Sequence, residues 1–423
     1  MLYFDLDMNL SEENLALKTA ANKFAAEVMR PVAKELDQMS PEDVVAPESP
    51  FWDFLRKAYK LGYHKLTFPE EVGGQGLNPL QLSIVMEELA WGSFGLTLQL
   101  NTSFHAAAAL GSTEEHIMNF TIPYCNCTDA SIIGCWAISE PDHGSDGMPY
   151  TPGFRDPNIK GQCTARLDGD EYVIKGQKAA WVSSGTIANY ILLMCQIEPS
   201  NGFPGFAGSG VFIFSLDRPG VSRGKPWNKL GARELNQGEI YFDDVRIPKD
   251  ALLVGPEGYE GALISHLCLT TPMVGTWSVG LARAAFEEAL DFARKRVQGG
   301  KPLVDNPNVQ QKLFDMFRKV EASRQLCRSV YLYNYNWSNP PEKRLFEYGI
   351  AAKTFATQAA LEVTSDAIQL MGGCGLSKEY QVEKFFRDAR ATLICDGSND
   401  TIAVMGGHIV GHTYPRAQVG SCS

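Results

Sequence analysis

Hydrophobic positions recur at two periods along this chain, and the period changes twice. In "SEENLALKTAANKFAAEVMRPVAKEL" (11–36) Leu17, Phe24 and Val28 fall near one face of a helix, and Ser11 stands where an N-cap is needed. "FWDFLRKAYKLG" (51–62) keeps that period and stops at Gly62, a residue suited to the turn that closes a helix. "NPLQLSIVMEELAWGS" (78–93) opens near Pro79, whose fixed φ suits a first helical turn, and carries a second apolar face.

Near residue 130 the pattern shortens to strand length. "ASIIGCWAIS" (130–139) is a short apolar run, and "TARLDGDEYVIKGQKAAWVSSG" (164–185) reads as two alternating runs around an Asp-Gly turn at 168–169. "NYILLMCQI" (189–197), "GVFIFSLD" (210–217) and "GEIYFDDVRIP" (238–248) follow. From about residue 260 the helical period returns in "GLARAAFEEALDFARKRVQ" (280–298), "NVQQKLFDMFRKVEASRQLCRSVYLY" (308–333) and "EYGIAAKTFATQAALEVTSDAIQLMGG" (347–373). Helices, then strands, then helices predict an α+β protein with an N-terminal helical domain (1–129), a middle β domain (130–250) and a C-terminal helical domain (251–423).

A chain of 423 residues has room for that many cores. Its net charge of −11 makes nucleic acid and anionic membranes poor partners. No apolar run reaches the ~18 residues of a membrane span. The start, "MLYFDLDMNLSEEN", lacks a basic segment followed by an apolar one, so no signal peptide is expected. Ten cysteines are scattered, without a CxxC pair, so a metal site is not expected. Cys135, Cys195 and Cys268 lie in apolar runs and read as core residues of a cytoplasmic protein.

The candidate chemistry sits near the end, in "ICDGSND" (394–400), which follows the helical run "RDARATL" (387–393). By residue type alone, Asp396 is either a proton acceptor or a turn residue at a helix end.

Five segments taken together resemble the acyl-CoA dehydrogenase family. They are "FPEEVGGQG" (68–76), "AISEPDHGSD" (137–146), "KLGARELNQGEIYFDDVRIP" (229–248), "RKRVQGGKP" (294–302) and "QLMGGCGLSKEYQVEKFFRDAR" (369–390). The resemblance implies a barrel-like middle domain, a C-terminal four-helix bundle, FAD as cofactor, a homotetramer, an acyl-CoA substrate and an electron-transfer flavoprotein as acceptor.

It also implies roles for residues. Trp136, Ile138 and Ser139 would lie against the flavin ring, with Trp181 and Ser183 covering its other side. Read without the family, Trp181 is a core aromatic and the two serines are strand-end polar residues. The run "QKAAWVSSG" holds one more residue between Lys178 and Trp181 than the common family form. Ser145 would approach the cofactor or the CoA phosphates, or else serve a turn. Arg296 and Gln298 resemble the pair that reaches a neighbouring subunit's FAD diphosphate, a task suited to a bidentate guanidinium. Gly299 stands where the family usually has Phe. Gln369, Gly372 and Gly373 resemble the adenosine-binding segment, and glycine lets backbone approach a ligand closely. Ser398 and Asp400 match the flavin-contacting tail.

The family's base is usually Glu followed by Gly and preceded by Tyr; here Cys395, Asp396 and Gly397 match those positions. The carboxylate is one methylene shorter, retracted by about 1 Å, and misplacement on that scale can cost about 10²-fold in rate. The expectation is a bulkier acyl group, α-branched or alicyclic. Thr270 stands where some relatives place an alternative Glu, and Thr271 where an Arg usually contacts the thioester. Thr271 and Gly397 are accordingly the expected substrate contacts, with Ser145. A stretch longer than the common family loop, "MPYTPGFRDPNIK" (148–160), reads first as a surface loop and second as a reach toward the substrate entrance. Two other functions fit these residues: a flavin oxidase of the same fold acting on a small non-CoA carbon acid, as in nitroalkane oxidases, and a non-catalytic flavin-bearing interaction protein.

Overall fold

The computed structural model describes residues 10–101, 113–200, 202–336 and 343–414. Ser11 caps helix α1 (Glu12–Phe24) by accepting from Asn14 N–H at 3.2 Å. A π-turn joins α1 to α2 (Arg30–Leu36). Helix α3 (Pro50–Lys60) buries Phe51, Phe54 and Leu55 and is followed by Gly62 at φ 78°. Helix α4 (Pro79–Gly92) opens with a capping box between Asn78 and Gln81, and nearly its whole length is buried.

The middle of the chain is an eight-stranded sheet in the order β6-β7-β3-β1-β4-β5-β8. Its strands are β1 (Gly134–Ala137), β2 (Thr164–Asp168), β3 (Glu171–Ser183), β4 (Tyr190–Glu198), β5 (Ser209–Ser215), β6 (Val221–Arg223), β7 (Gln237–Pro248) and β8 (Leu252–Val254). Strand β2 pairs with both β3 and β4, as β1 does. The two short strands therefore lie end to end in one slot, each antiparallel to β3 and parallel to β4. The chain leaves the sheet after Ala137 and re-enters at Thr164. What it does between those points shapes the site.

The turn between β2 and β3 is Gly169-Asp170, one residue later than the alternation suggested, with Gly169 at φ 66°. The extra residue before Trp181 is absorbed as a bulge. Lys178 pairs with Ile240 and Val182 with Gly238, so positions 178 to 182 on β3 face only 240 to 238 on β7.

Helix α5 (Pro256–Lys295) starts well before the periodic stretch read from the sequence and continues through Pro272. A proline inside a helix removes one hydrogen bond. Here α4, α6 (Pro307–Asn334) and α7 (Phe346–Met371) all pack on α5, and this packing holds it continuous. Arg283 of α5 and Arg324 of α6 each donate to Glu87 of α4 at 2.8 Å, and Arg283 also to Glu88. Buried charges are tolerated in such a fully paired arrangement. Helices α8 (Val382–Thr392) and α9 (Asn399–Thr413) complete the C-terminal part.

Candidate active site

Between α8 and α9 the chain turns through Asp396 at φ 51° and Gly397 at φ 89°. An aspartate visits this left-handed region more readily than most residues. Gly397 has no alternative, because a Cβ there would also sit 2.6 Å from Ile402 Cγ2. Three contacts pin the turn. Lys353 Nζ, fully buried on α7, donates to Gly397 O at 2.5 Å and to Asn399 Oδ1 at 3.0 Å. Asn399 Nδ2 donates to Thr357 Oγ1 at 2.8 Å. Ser398 N–H donates to Ser145 Oγ at 3.0 Å, which ties the "HGSD" turn of the middle domain to the start of α9. Asp400 is exposed in the first turn of α9.

The Asp396 side chain is open to solvent on one side and enclosed by protein on the others. Loss of hydration raises its pKa; the Lys353 ammonium and the Thr270 hydroxyl pull it back down. Thr270 Oγ1, buried on α5, has no hydrogen-bond partner within 3.5 Å. Its hydroxyl nonetheless faces Asp396 closely enough to favour the ionised carboxylate. Tyr335, just past the end of α6, feels the Asp396 charge from a third side and donates its hydroxyl to Leu269 O at 3.1 Å.

Thr271 is not part of this setting. Its hydroxyl donates to Leu267 O at 2.6 Å, and its side chain fills the contact between α5 and α7. A Cβ on Gly349 would fall 2.4 Å from Thr271 Oγ1. Successive helical residues point about 100° apart, so Thr270 faces Asp396 while Thr271 faces Gly349. The expected substrate contact at Thr271 is thus replaced by helix packing. A cation that the sequence reading missed stands nearby. Arg344 donates from Nη1 to Ser265 Oγ at 2.6 Å, and its charge acts on Cys268 and Tyr335. Nothing in the local pattern of "PPEKRLF" singles it out.

Trp136, Ile138, Ser139, Trp181 and Ser183 converge at one end of the sheet. Trp136 pairs with Ser183, and Ala179 N–H donates to Ser139 O at 3.0 Å. The break between β1 and β2 is filled by charge. Lys178 Nζ donates to Ile138 O at 2.9 Å and to Glu140 Oε1 at 2.6 Å, and Glu140 accepts from the N–H groups of Gln162 and Cys163. Trp136 stacks on His266 of α5, with centroids 4.2 Å apart and planes at 20°. Ser183 Oγ accepts from Gln237 Nε2 at 3.2 Å. Trp181 is 56% exposed beside Trp227, which rules out the core-aromatic alternative.

Arg296, Gln298, Gln369, Gly372 and Gly373 lie elsewhere. Arg296 is 26 residues beyond Thr270 along α5, a rise of roughly 39 Å. Its charge acts on Tyr380, which in turn interacts with Cys374, next to the two glycines. A Cβ on Gly372 or Gly373 would meet nothing within 4 Å, so backbone is bared there to an approaching group. One chain does not bring this cluster to the Asp396 turn.

The 148–160 stretch is docked rather than free. Met148 is buried, with its Cε 3.7 Å from where a Gly397 Cβ would stand. Tyr150, at φ 63°, lies tilted against His408 of α9, with ring centroids 5.6 Å apart. Phe154 is buried against Tyr259, and Arg155 pairs with Glu260, both of α5.

Comparison with known proteins agrees with this architecture. The acyl-CoA dehydrogenase N-terminal, middle and C-terminal domains match residues 11–117, 135–245 and 262–406. The chain is 32% identical over 410 residues to the mitochondrial short-chain specific acyl-CoA dehydrogenase of Bos taurus, spanning 95% of this chain and 91% of that one. Butyryl-CoA dehydrogenase from Megasphaera elsdenii superposes with a TM-score of 0.82 at 25% identity, covering 96% of this chain and 100% of that one. A chain from the structural work on the electron transferring flavoprotein of Acidaminococcus fermentans gives the same TM-score at 27% identity, covering 96% and 99%. The fold and the matched domains define a flavoprotein oxidoreductase acting on CH–CH groups. The chain belongs to the acyl-CoA dehydrogenase family, whose cofactor is FAD. The residues fit that cofactor: strand-end hydroxyls and an exposed indole at one cluster, bared glycine backbone beside a guanidinium at the other. Among the described residues, no helix is long and apolar enough to cross a membrane.

Proposed function

We propose that this acyl-CoA dehydrogenase uses Asp396 as its base, removing the proton α to a thioester carbonyl so that a 2,3-enoyl-CoA forms. The observation that carries this is the Asp396 turn itself. A carboxylate is held at φ 51° by a buried lysine and opens to solvent between α5, α6 and α7, with its pKa raised by lost hydration. A base poised closer to neutral pH is a better proton acceptor partner for a weak carbon acid. FAD, when bound, accepts the β hydride. Trp136, Ile138, Ser139, Trp181, Ser183, Ser398 and Asp400 would contact its ring end. Arg296, Gln298, Gln369, Gly372 and Gly373 would serve the cofactor of a neighbouring copy. The rise of roughly 39 Å along α5 from Thr270 to Arg296 supports that division and, with it, a homo-oligomer, read as a tetramer.

Ser145 and Gly397 are read as substrate contacts, and Arg344 as the cation on the thioester side in place of residue 271. The short side chain of Asp396, together with Met148 packed beside its turn, favours an α-branched or alicyclic acyl group whose α carbon comes closer to the base. An electron-transfer flavoprotein is the expected acceptor, and a chain from the work on such a protein is among the structural relatives. The nine cysteines among the described residues are free thiols, which fits a reducing, cytoplasmic setting.

The test is anaerobic bleaching of the flavin absorption by straight, branched and alicyclic CoA thioesters, on wild type and Asp396→Asn. Bleaching of wild type alone, fastest with a branched or alicyclic member, is the expected result. Preference for straight chains would remove the substrate class, and bleaching of Asp396→Asn at the wild-type rate would remove the base. If no thioester reacts, small carbon acids under oxygen are the next substrates to try.

A further inference from the structure

Lys353 is fully buried, yet among the described contacts its ammonium bonds no carboxylate. Its two acceptors are neutral: the carbonyl oxygen of Gly397 and the amide oxygen of Asn399. Both lie just after Asp396, Gly397 next to it in the turn and Asn399 at the start of α9. A buried ammonium bonded only to neutral oxygens is costly unless a negative charge lies close. The charges that act on Lys353 come from Cys395 and Asp396, and on the other side Asp396 feels Lys353 and the Thr270 hydroxyl. Tyr335, just past the end of α6, adds a further titratable group facing Asp396. Thr271 meanwhile is packed against Gly349 and offers no charge.

We infer that Lys353 is the counter-charge of Asp396: a positioning residue that fixes the turn through Gly397 and Asn399 and holds the carboxylate ionised from beneath. The inference rests on Asp396 being the base. It explains how the turn functions without an arginine at position 271. The shorter aspartate also keeps its carboxylate near the backbone segment that Lys353 grips, where a glutamate would carry it outward.

An infrared titration of the Asp396 carboxyl needs no substrate. The band present in wild type and absent in Asp396→Asn is followed against pH in Lys353→Gln, Lys353→Met and Lys353→Arg, with melting temperatures taken alongside. Gln keeps a hydrogen-bond donor and loses the charge, so it separates charge from mere anchoring and protects against failure to fold. The expected result is that Asp396 protonates about 1–3 pH units higher in the Gln and Met variants, while Arg restores the wild-type titration. The acid limb of kcat/KM, measured with whichever thioester bleaches the flavin, should move by the same amount. If Lys353→Gln and Lys353→Met titrate with the wild type, the inference is overturned and Lys353 is only a structural anchor. If the band moves but no thioester is turned over, the assigned reaction fails while the coupling of Lys353 to Asp396 stands.

Discussion

The N–H of Ser398 donates to Ser145 Oγ at 3.0 Å, so a turn of the middle domain caps the helix that follows the candidate base. The Ser145 turn is itself rigid: Gly144 N–H donates to Asp146 Oδ1 at 2.6 Å, and Asp146 pairs with His143 at 2.8 Å. Ser145→Ala removes the acceptor and keeps the turn. Loss of one such bond costs about 1 kcal/mol of stability. The rate should suffer more, because the Asp396 turn loses one of its three ties and misplacement near 1 Å costs up to about 10²-fold. Thermal melts and kcat/KM on the same preparations check this. A rate that falls no further than the small stability loss accounts for would show that the tie does not position the base.

Restoring the family's usual arginine should harm rather than help. Thr271 is wholly buried between α5 and α7, and the closeness of Gly349 leaves no space for a longer side chain. Thr271→Arg would bury an unpaired guanidinium and force the helices apart. Such changes cost several kcal/mol. The expected outcome is poor folding, read as a large drop in melting temperature. A well-folded variant with improved thioester binding would show that the α5–α7 contact can open here.

The three-part order of helices, strands and helices was legible because each part has its own hydrophobic period. The Ser11 cap and the helix start at Pro79 were equally local. Two things were not. The middle of α5, residues 266–286, is buried on every side, so no polar face marks its period, and Pro272 reads as a break. The division of labour between Thr270 and Thr271 depends on rotation about the α5 axis, which residue identities alone do not reveal. The same holds for Arg344 and Lys353, whose partners lie on other elements. The 148–160 stretch looked like a loop because its anchors, Met148, Tyr150 and Phe154, each meet a distant helix or turn.

Glu140 and Lys178 form a buried pair, with side chains 3% and 2% exposed and 2.6 Å between charges. They fill the gap where the chain leaves the sheet between β1 and β2, directly behind Ile138 and Ser139. Glu140→Gln or Lys178→Met strands one charge in the interior, at a cost of about 3–5 kcal/mol. Because the strand ends proposed to face the flavin depend on this pair, bound flavin per chain should fall along with the melting temperature. The double variant, which strands neither charge, should recover part of the stability. Single variants that melt with the wild type would show that solvent reaches the gap.

His64 gives the protein a pH dependence unrelated to catalysis. Its ring is buried, stacks on Tyr59 at 3.9 Å and bonds Tyr124 O through Nε2 at 3.1 Å. Burial lowers its pKa from 6.5 to about 4. Between those values the unfolded chain binds a proton that the folded chain does not. Stability therefore rises with pH across that window, is fully present above 6.5 and is lost as pH falls toward 4. From pH 7.5 to pH 5 this group removes about 2 kcal/mol, taking ~1.4 kcal/mol per unit over roughly 1.5 units. His64→Phe keeps a ring against Tyr59 and cannot titrate. Its stability, measured by urea unfolding at the two pH values, should start lower because the ring's bond to Tyr124 O is lost, and then fall less on acidification by about that amount. Parallel losses in wild type and variant would mean that His64 is protonated in the folded protein at pH 5.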